Sequence, residues 1–410
     1  MKILVQKFGG TSVATPETRE RVVHHIKQAL AEEYQVVVVV SAMGRNGAPY
    51  ATDTLLNLVR ENGGALAPRE QDLLLSCGEL ISAATLSSQL ANSGIASVVL
   101  TGGQAGIITN NQFTNAQIIK VKPKRIYDEL KQGKVVIVTG FQGQTEDGEI
   151  TTLGRGGSDT TATALGVALR AQYVDIFTDV EGVMTADPRI VEDATPLEQV
   201  TYYEMCNLAF EGAKVVHPRA IEIAMQTNVP VRVRSTMSDH FGTLVTNRNE
   251  QDELAGEIHD RLITGITQMA SVTQIKIAVQ RGQFDLHLKV FQKMADHGIS
   301  VDFISVNPSE IAYTVKDHQA EKAATILREE LGIEPVLHPN CAKVSTVGAG
   351  IAGIPGVMAK IVEALTEEDI QILQSADSHT TIWVLVKGED MIKAVRALHR
   401  KFDLHRANNH

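Results

Sequence analysis

Cysteine is nearly absent from this sequence of 410 residues: Cys77, Cys206 and Cys341 lie far apart, and no Cys-x-x-Cys pair occurs. That argues against structural zinc or a disulfide framework and leaves three small residues of the kind that fill a core in a reducing compartment. Long apolar runs are lacking too. No run of eighteen apolar residues exists, and the five valines Val36 to Val40 suit a buried strand rather than a membrane span. Met1-Lys2-Ile3-Leu4-Val5 leads straight into a strand pattern without an apolar signal core, so a cytoplasmic protein with no membrane partner is expected. Basic residues are outnumbered, 38 Lys and Arg against 48 Asp and Glu, for a net charge of −10. Nucleic acid is therefore not the expected partner, because such a face needs a basic stripe. A small anionic substrate remains open, since a few local cations decide that matter. Gly-x-x-x-x-Gly-Lys-Ser/Thr is missing, as are His-Arg-Asp and Asp-Phe-Gly, which excludes P-loop NTPases and protein kinases.

What is present is an alternation of apolar strand patterns with amphipathic helices. Strands are expected at Ile3 to Lys7, Gln35 to Val40, Ala96 to Leu100, Val135 to Thr139 and Tyr173 to Thr178. Helices are expected at Pro16 to Glu32, Asp72 to Asn92, Pro123 to Gln132 and Asp159 to Arg170. Several strands are apolar without alternation, as when helices cover both faces of a sheet, so residues 1–245 read as an αβα sandwich with a largely parallel sheet. Residues 246–260 are polar and acidic and read as a linker. Within 261–410 a repeat is visible: Leu286, Val290, Phe291, Met294, Ile299 and Val301 align with Val357, Ile361, Val362, Leu365, Ile370 and Ile372, and Lys289 with Lys360. Each copy reads as strand, helix, strand, strand, helix, strand.

Four clusters carry chemistry. Lys7-Phe8-Gly9-Gly10-Thr11-Ser12 follows the first strand, where two glycines let the backbone approach a ligand and free N–H groups can receive phosphate oxygens. Thr152-Leu153-Gly154-Arg155-Gly156-Gly157-Ser158-Asp159-Thr160-Thr161 opens a helix. Ser158 or Asp159 could serve as a simple cap, but a cap needs neither three glycines nor an arginine. Phe177-Thr178-Asp179-Val180-Glu181-Gly182, followed by Thr185-Ala186-Asp187-Pro188-Arg189, lies at a strand end, where open α/β sheets bind ligands. Gly212-Ala213-Lys214-Val215-Val216-His217-Pro218 adds a second lysine. Thr52-Asp53 and Glu79 complete the set, Glu79 either facing solvent or aimed at a cation. Gly348-Ala349-Gly350-Ile351-Ala352-Gly353 has dinucleotide-fingerprint spacing. Pro355 interrupts the helix start, though, and too little chain follows for such a domain.

Taken together, these motifs resemble the aspartokinase branch of the amino-acid kinase family over nearly the whole chain, with tandem ACT-type units, ferredoxin-like in fold, at the end. Ser41-Ala42-Met43-Gly44 through Thr52-Asp53-Thr54-Leu55-Leu56 resembles the short bacterial, diaminopimelate-sensitive form. The resemblance implies transfer of the γ-phosphoryl of ATP, as its Mg²⁺ complex, to L-aspartate. It implies Lys7, Phe8, Gly9, Gly10, Thr178, Asp179, Met184, Arg189 and Lys214 for ATP, Met184 packing on the base where relatives often carry tyrosine. Ser41, Thr52, Glu79, Arg155 and Ser158 would hold aspartate, and Lys7, Asp159 and Lys214 would carry catalysis. A homo-oligomer, at least a dimer, is implied, with meso-diaminopimelate, lysine or threonine as a feedback effector. Two rivals stay open: a kinase of another small carboxylate or amino acid, and a catalytically inactive amino-acid sensor.

Overall fold

The computed structural model describes every residue except 62, 64–65, 214, 248–261, 281–284, 350, 352 and 407–410, and the side chain of Arg406. Almost all of the expected linker lies outside the described residues. The chain divides into two compact units, Met1–Val183 with Pro196–His259, and Met184–Thr195 with Asp260–His410.

In the first unit the elements are β1 (Ile3–Phe8), α1 (Pro16–Ala31), β2 (Gln35–Val40), α2 (Thr52–Arg60), α3 (Pro68–Asn92), β3 (Ser97–Leu100), β4 (Ile107–Thr109), β5 (Ile118–Val121), α4 (Lys124–Leu130), β6 (Val135–Thr139), β7 (Gln142–Gln144), β8 (Ile150–Thr152), α5 (Gly157–Leu169), β9 (Tyr173–Thr178), β10 (Gln199–Val200), α6 (Tyr202–Phe210), α7 (Pro218–Met225), β11 (Val231–Ser235) and β12 (Thr243–Val245). Eight strands form one sheet in the order β10-β12-β11-β9-β1-β2-β6-β3, and β5-β4-β7-β8 form a smaller one. β9, β1, β2, β6 and β3 run parallel, with Phe8 level with Val40 and Phe177, and Val40 level with Thr139. Val36 to Val40 are buried on both faces, as a central parallel strand requires. Pro16 and a reciprocal Thr15–Thr18 capping box fix the start of α1, which buries Val22, Val23 and Ile26 against that sheet.

α3 is long and apolar enough to pass for a membrane span, yet its buried face carries Asp72, Ser76 and Glu79. It is a core helix with polar residues turned inward. Cys77 on the same helix is exposed and Cys206 half-buried, so of the three cysteines only Cys341 fills a core as expected; all three are free thiols.

The second unit contains β13 (Gly265–Ala278), α8 (Leu286–Asp296), β14 (Asp302–Asn307), β15 (Glu310–Lys316), α9 (Asp317–Leu331), β16 (Val336–Val347), α10 (Val357–Thr366), β17 (Gln374–Asp377), β18 (Thr381–Lys387) and α11 (Met391–Lys401). Its sheet runs β14-β15-β13-β16-β18-β17. The repeat is visible in the packing: Val290 and Ile361 are both buried, as are Met294 and Leu365, and Ile299 and Ile370. One expectation is corrected. The last strand of the second copy does not follow α11. It is the first half of β13, Gly265 to Met269, paired with Val347 to Lys343 of β16, while the second half of β13 pairs with β15 in the first copy. Hydrophobic period places strands but says nothing about which strand they pair with.

The division also departs from the expected 1–245 block. The segment Met184–Thr195 packs with the second unit, because Ala186, Ile190 and Val191 sit in its core beside Ile266, Val344 and Val395. The backbone agrees: Ile266 N–H donates to Thr185 O at 2.8 Å.

Candidate active site

The parallel strands of the first unit end together, so β1, β2, β6 and β9 deliver Lys7 to Gly10, Ser41, Gly140 and Thr178 to one edge of the sheet. This is the edge where open α/β sheets bind ligands. Lys7 Nζ lies 2.6 Å from Asp159 Oδ1, with both side chains 12 % exposed. The other oxygen, Oδ2, accepts the backbone N–H of His217 at 3.2 Å. Three of the four sequence clusters therefore meet at Asp159. Lys214, the cation expected from the fourth, lies outside the described residues.

Asp159 and Ser158 do not cap α5, contrary to the simpler reading of that motif. Gly156, at φ 70°, occupies the cap position with no side-chain hydrogen bond, so Ser158 and Asp159 fall within the first turn. The N–H groups at that start are not consumed by a capping side chain, which favours an anion there. Arg155 is exposed and sits between Gly154 (φ 74°) and Gly156. Ser158 packs under the sheet edge, its Oγ 2.9 Å from where a Cβ on Gly140 would lie.

The glycine turn after β1 is held against the loop after β2. Gly44 N–H donates to Gly10 O at 2.9 Å, and Ser41 N–H donates to Phe8 O at 3.1 Å. A Cβ on Gly10 would meet the carbonyl oxygens of Gly44 and Ala42 at 2.6 and 2.7 Å, so no side chain fits there. Ser12 Oγ is 2.6 Å from Thr236 Oγ1, whose backbone N–H donates to Thr178 O at 2.9 Å. Thr178 in turn donates to Asp179 Oδ1, and Asp179 pairs with Arg45 at 2.6 Å.

Glu79 is 2 % exposed, which removes the solvent-facing alternative. Its Oε1 accepts Ala42 N–H at 3.2 Å, and Oε2 has no hydrogen-bond partner among the described residues. Burial pushes its carboxyl up to about 8, against the smaller opposing effect of backbone hydrogen bonds. Gly78 makes the approach possible, lying against Ala42, Tyr50 O and Leu55 of α2, the helix that Thr52 opens.

Asp72, one heptad before Glu79 on the same face of α3, is a residue that the sequence patterns did not single out. It accepts Thr114 N–H at 2.9 and 3.0 Å, Thr152 N–H at 2.8 Å and the Thr152 hydroxyl at 2.6 Å. Two carboxylates at i and i+7 in an otherwise apolar helix are the signal that could have found it. His217 and Arg219 were also given no role. The His217 side chain caps α7 through Nδ1, and burial holds its pKa below the ordinary histidine value, assisted by the charges of Arg219 and Arg155. Met184 and Arg189, expected on the nucleotide, fall in the second unit, where Arg189 forks onto Asp187 at 2.7 and 3.0 Å.

Comparison with known proteins follows the same line. The amino acid kinase family model matches residues 2–235 and an ACT domain model residues 336–400. The chain is 58% identical over 404 residues to aspartokinase 1 of Bacillus subtilis (strain 168), covering 98% of this chain and 100% of that one. It is 40% identical over 409 residues to the aspartokinase of Geobacillus stearothermophilus, covering 98% of each. Among solved structures, E. coli aspartokinase III in complex with aspartate and ADP aligns with a TM-score of 0.78 at 26% identity, over 98% of this chain and 99% of that one. The same enzyme in complex with lysine and aspartate gives 0.76, over 98% and 100%.

Proposed function

The chain belongs to the aspartokinases of the amino acid kinase family, and from that premise we propose how its residues share the transfer of a phosphoryl group from ATP to L-aspartate. The reaction joins the γ-phosphoryl of ATP to the β-carboxylate of aspartate to give 4-phospho-L-aspartate, and an ACT region regulates it. The observation that carries the division of roles is the Lys7–Asp159 pair at the sheet edge, beside a helix start that no side chain caps.

A β-carboxylate whose ordinary pKa is about 3.9 is already ionised at neutral pH, so the nucleophile needs no general base. Alignment and charge neutralisation remain, because two anions must meet and charge builds on the transferred group and the leaving oxygen. Lys7 supplies a cation there, held by Asp159, and Lys214 is assigned the opposite side. The turn Gly9–Gly10 and the start of α5 offer backbone N–H groups to phosphate oxygens. Thr178, Asp179, Met184 and Arg189 are assigned to the nucleotide. Arg155 forks onto the α-carboxylate of aspartate, Glu79 receives its ammonium through the unpartnered Oε2, and Ser41, Thr52 and Ser158 complete that site. Mg²⁺ would arrive on the nucleotide and neutralise its phosphates; among the described residues no group of three or more His, Cys, Asp or Glu side chains could hold a metal alone.

The effector is proposed to be an end-product amino acid, lysine, threonine or meso-diaminopimelate, acting through the second unit; E. coli aspartokinase III has been solved with lysine bound. A homo-oligomer of at least two chains fits the exposed Ile304 and Val306 on the edge strand β14. The cytoplasm is the proposed location. The decisive assay is steady-state ADP release with Mg-ATP and aspartate, then glutamate and acetylglutamate, then aspartate with each effector. Turnover confined to aspartate and suppressed by one amino acid is expected. Equal turnover with glutamate would move the acceptor, and no suppression by any of the three would remove the effector proposal.

A further inference from the structure

Arg155 sits on a stretch of backbone that cannot fix itself. Both neighbours are glycines in the left-handed region, Gly154 at φ 74° and Gly156 at φ 70°, so its orientation has to be imposed by what the flanks touch. Both flanks touch the start of α7. Before Arg155, the buried Leu153 gives its carbonyl oxygen to Arg219 Nη1 at 3.0 Å. The same guanidinium donates through Nη2 to Ala116 O, also at 3.0 Å. After Arg155, Gly156 lies against the His217 ring, so closely that a Cβ there would fall 2.2 Å from Cγ. Residues 114–116 are themselves tied to the loop: Ala116 N–H donates to Thr152 O at 2.8 Å, and Asn115 Oδ1 is 2.7 Å from the place of a Cβ on Gly154.

We propose that Arg219 is a positioning residue for aspartate binding, its guanidinium bridging the Leu153 and Ala116 carbonyls so that Arg155 is presented to the substrate carboxylate. The proposal rests on the reading that Arg155 grips aspartate. Two carbonyls on two segments call for a planar fork, and a lysine ammonium on its flexible stem lacks that fixed two-pronged geometry. The effect is selective because Arg219 bonds to the Arg155 loop, whereas the Lys7–Asp159 pair is reached by the backbone of His217. An ordinary structural arginine would lower stability and affect both substrates alike.

The test is a double-mutant cycle on the full chain with Arg219→Gln, Arg219→Lys, Arg155→Ala and Arg155→Ala/Arg219→Gln, measuring KM for aspartate and for ATP, kcat and the melting temperature. Losing a charge-assisted bridge should raise the aspartate KM of Arg219→Gln about tenfold or more while the ATP KM stays within about twofold. Arg219→Lys should fall between it and the parent. In the Arg155→Ala background the Arg219→Gln effect on aspartate should disappear, since Arg219 acts through Arg155. An additive effect, or a parallel rise in both KM values, would overturn the positioning role. An unchanged aspartate KM in Arg219→Gln, with a large rise in Arg155→Ala, would do the same. If Arg155→Ala itself left aspartate KM unchanged, the underlying assignment of Arg155 would fall first. Should Arg219→Gln not fold, Arg219→Lys carries the same comparison.

Discussion

Glu79 is the residue whose environment makes the sharpest demand. With its carboxyl pushed up to about 8 by burial, the empty enzyme holds a proton there at pH 7. A substrate ammonium at Oε2 favours the carboxylate and expels that proton. Aspartate binding at pH 7 should therefore release up to one proton, read by calorimetry in buffers of different ionisation heat, and should tighten as pH rises from about 6 to 8. Glu79→Gln should abolish the release; a release that survives would remove Glu79 from the ammonium site. Stability has the opposite trend. The folded pKa is raised above the unfolded 4.5, so the stabilisation is complete below about 4.5 and is lost as pH rises through about 8. Lys7 makes a different prediction. Removing a preorganised donor costs about 3 to 4 kcal/mol in the transition state, so Lys7→Ala should lose about a hundred- to a thousandfold in kcat, with near-parental turnover refuting its role. Lys7, Glu79, Arg155 and Asp159 were legible because glycines or an apolar helix pattern surround them. Arg219 was not, because one arginine after a proline looks like any solvated cation until its two carbonyl partners are known.

Elements were legible where the chain repeats a period. The five expected strands and four expected helices stand within a few residues of expectation, β2, β6 and β9 at the same residues, while α6 and α7 were not anticipated. The strands β4, β7 and β8, three residues each, are too short to show alternation, and β4 finds β7 only by pairing Ile108 with Gln144, far along the chain. α2 was missed because no residue in it is buried. Within α3, Gly78 looks like a flaw, since alanine is favoured by about 1 kcal/mol in a helix interior. Its replacement should nevertheless harm the enzyme. A Cβ would lie 2.8 Å from that of Ala42, the residue whose N–H holds Glu79, and overpacking of this kind costs about 1 to 3 kcal/mol. Gly78→Ala should melt no higher than the parent and show a raised aspartate KM. A more stable variant with unchanged KM would mean that α3 can shift freely.

For the whole molecule, the sequence located the catalytic half and the duplicated tail but not the place of Met184–Thr195. Motif order put that segment with the kinase, whereas burial of Ala186, Ile190 and Val191 puts it in the second unit's core. Thr185 Oγ1 meets the buried His399 at 3.0 Å, and Arg396 donates to Ile190 O at 2.8 Å. A chain ending at residue 247 keeps the segment and loses all of these partners. Such a fragment should bind ATP much more weakly than the full chain while its aspartate affinity changes less, as isothermal titration with each ligand would measure. Equal losses for the two ligands would count against assigning Met184 and Arg189 to the nucleotide.

The exchange between β13 and β16 reaches further. β13 and β16 each serve both copies: the first copy runs unbroken from the second half of β13 to the first half of β16, whereas the second takes its last strand from the first half of β13, which precedes the first copy in the chain. A break in the turn between α9 and β16 would leave one polypeptide with β13 and the other with β16, each missing the strand beside its own. The two pieces could become whole only by recognising each other, which makes that turn a natural site for split-protein complementation and a poor site for swapping one copy with a homologue's.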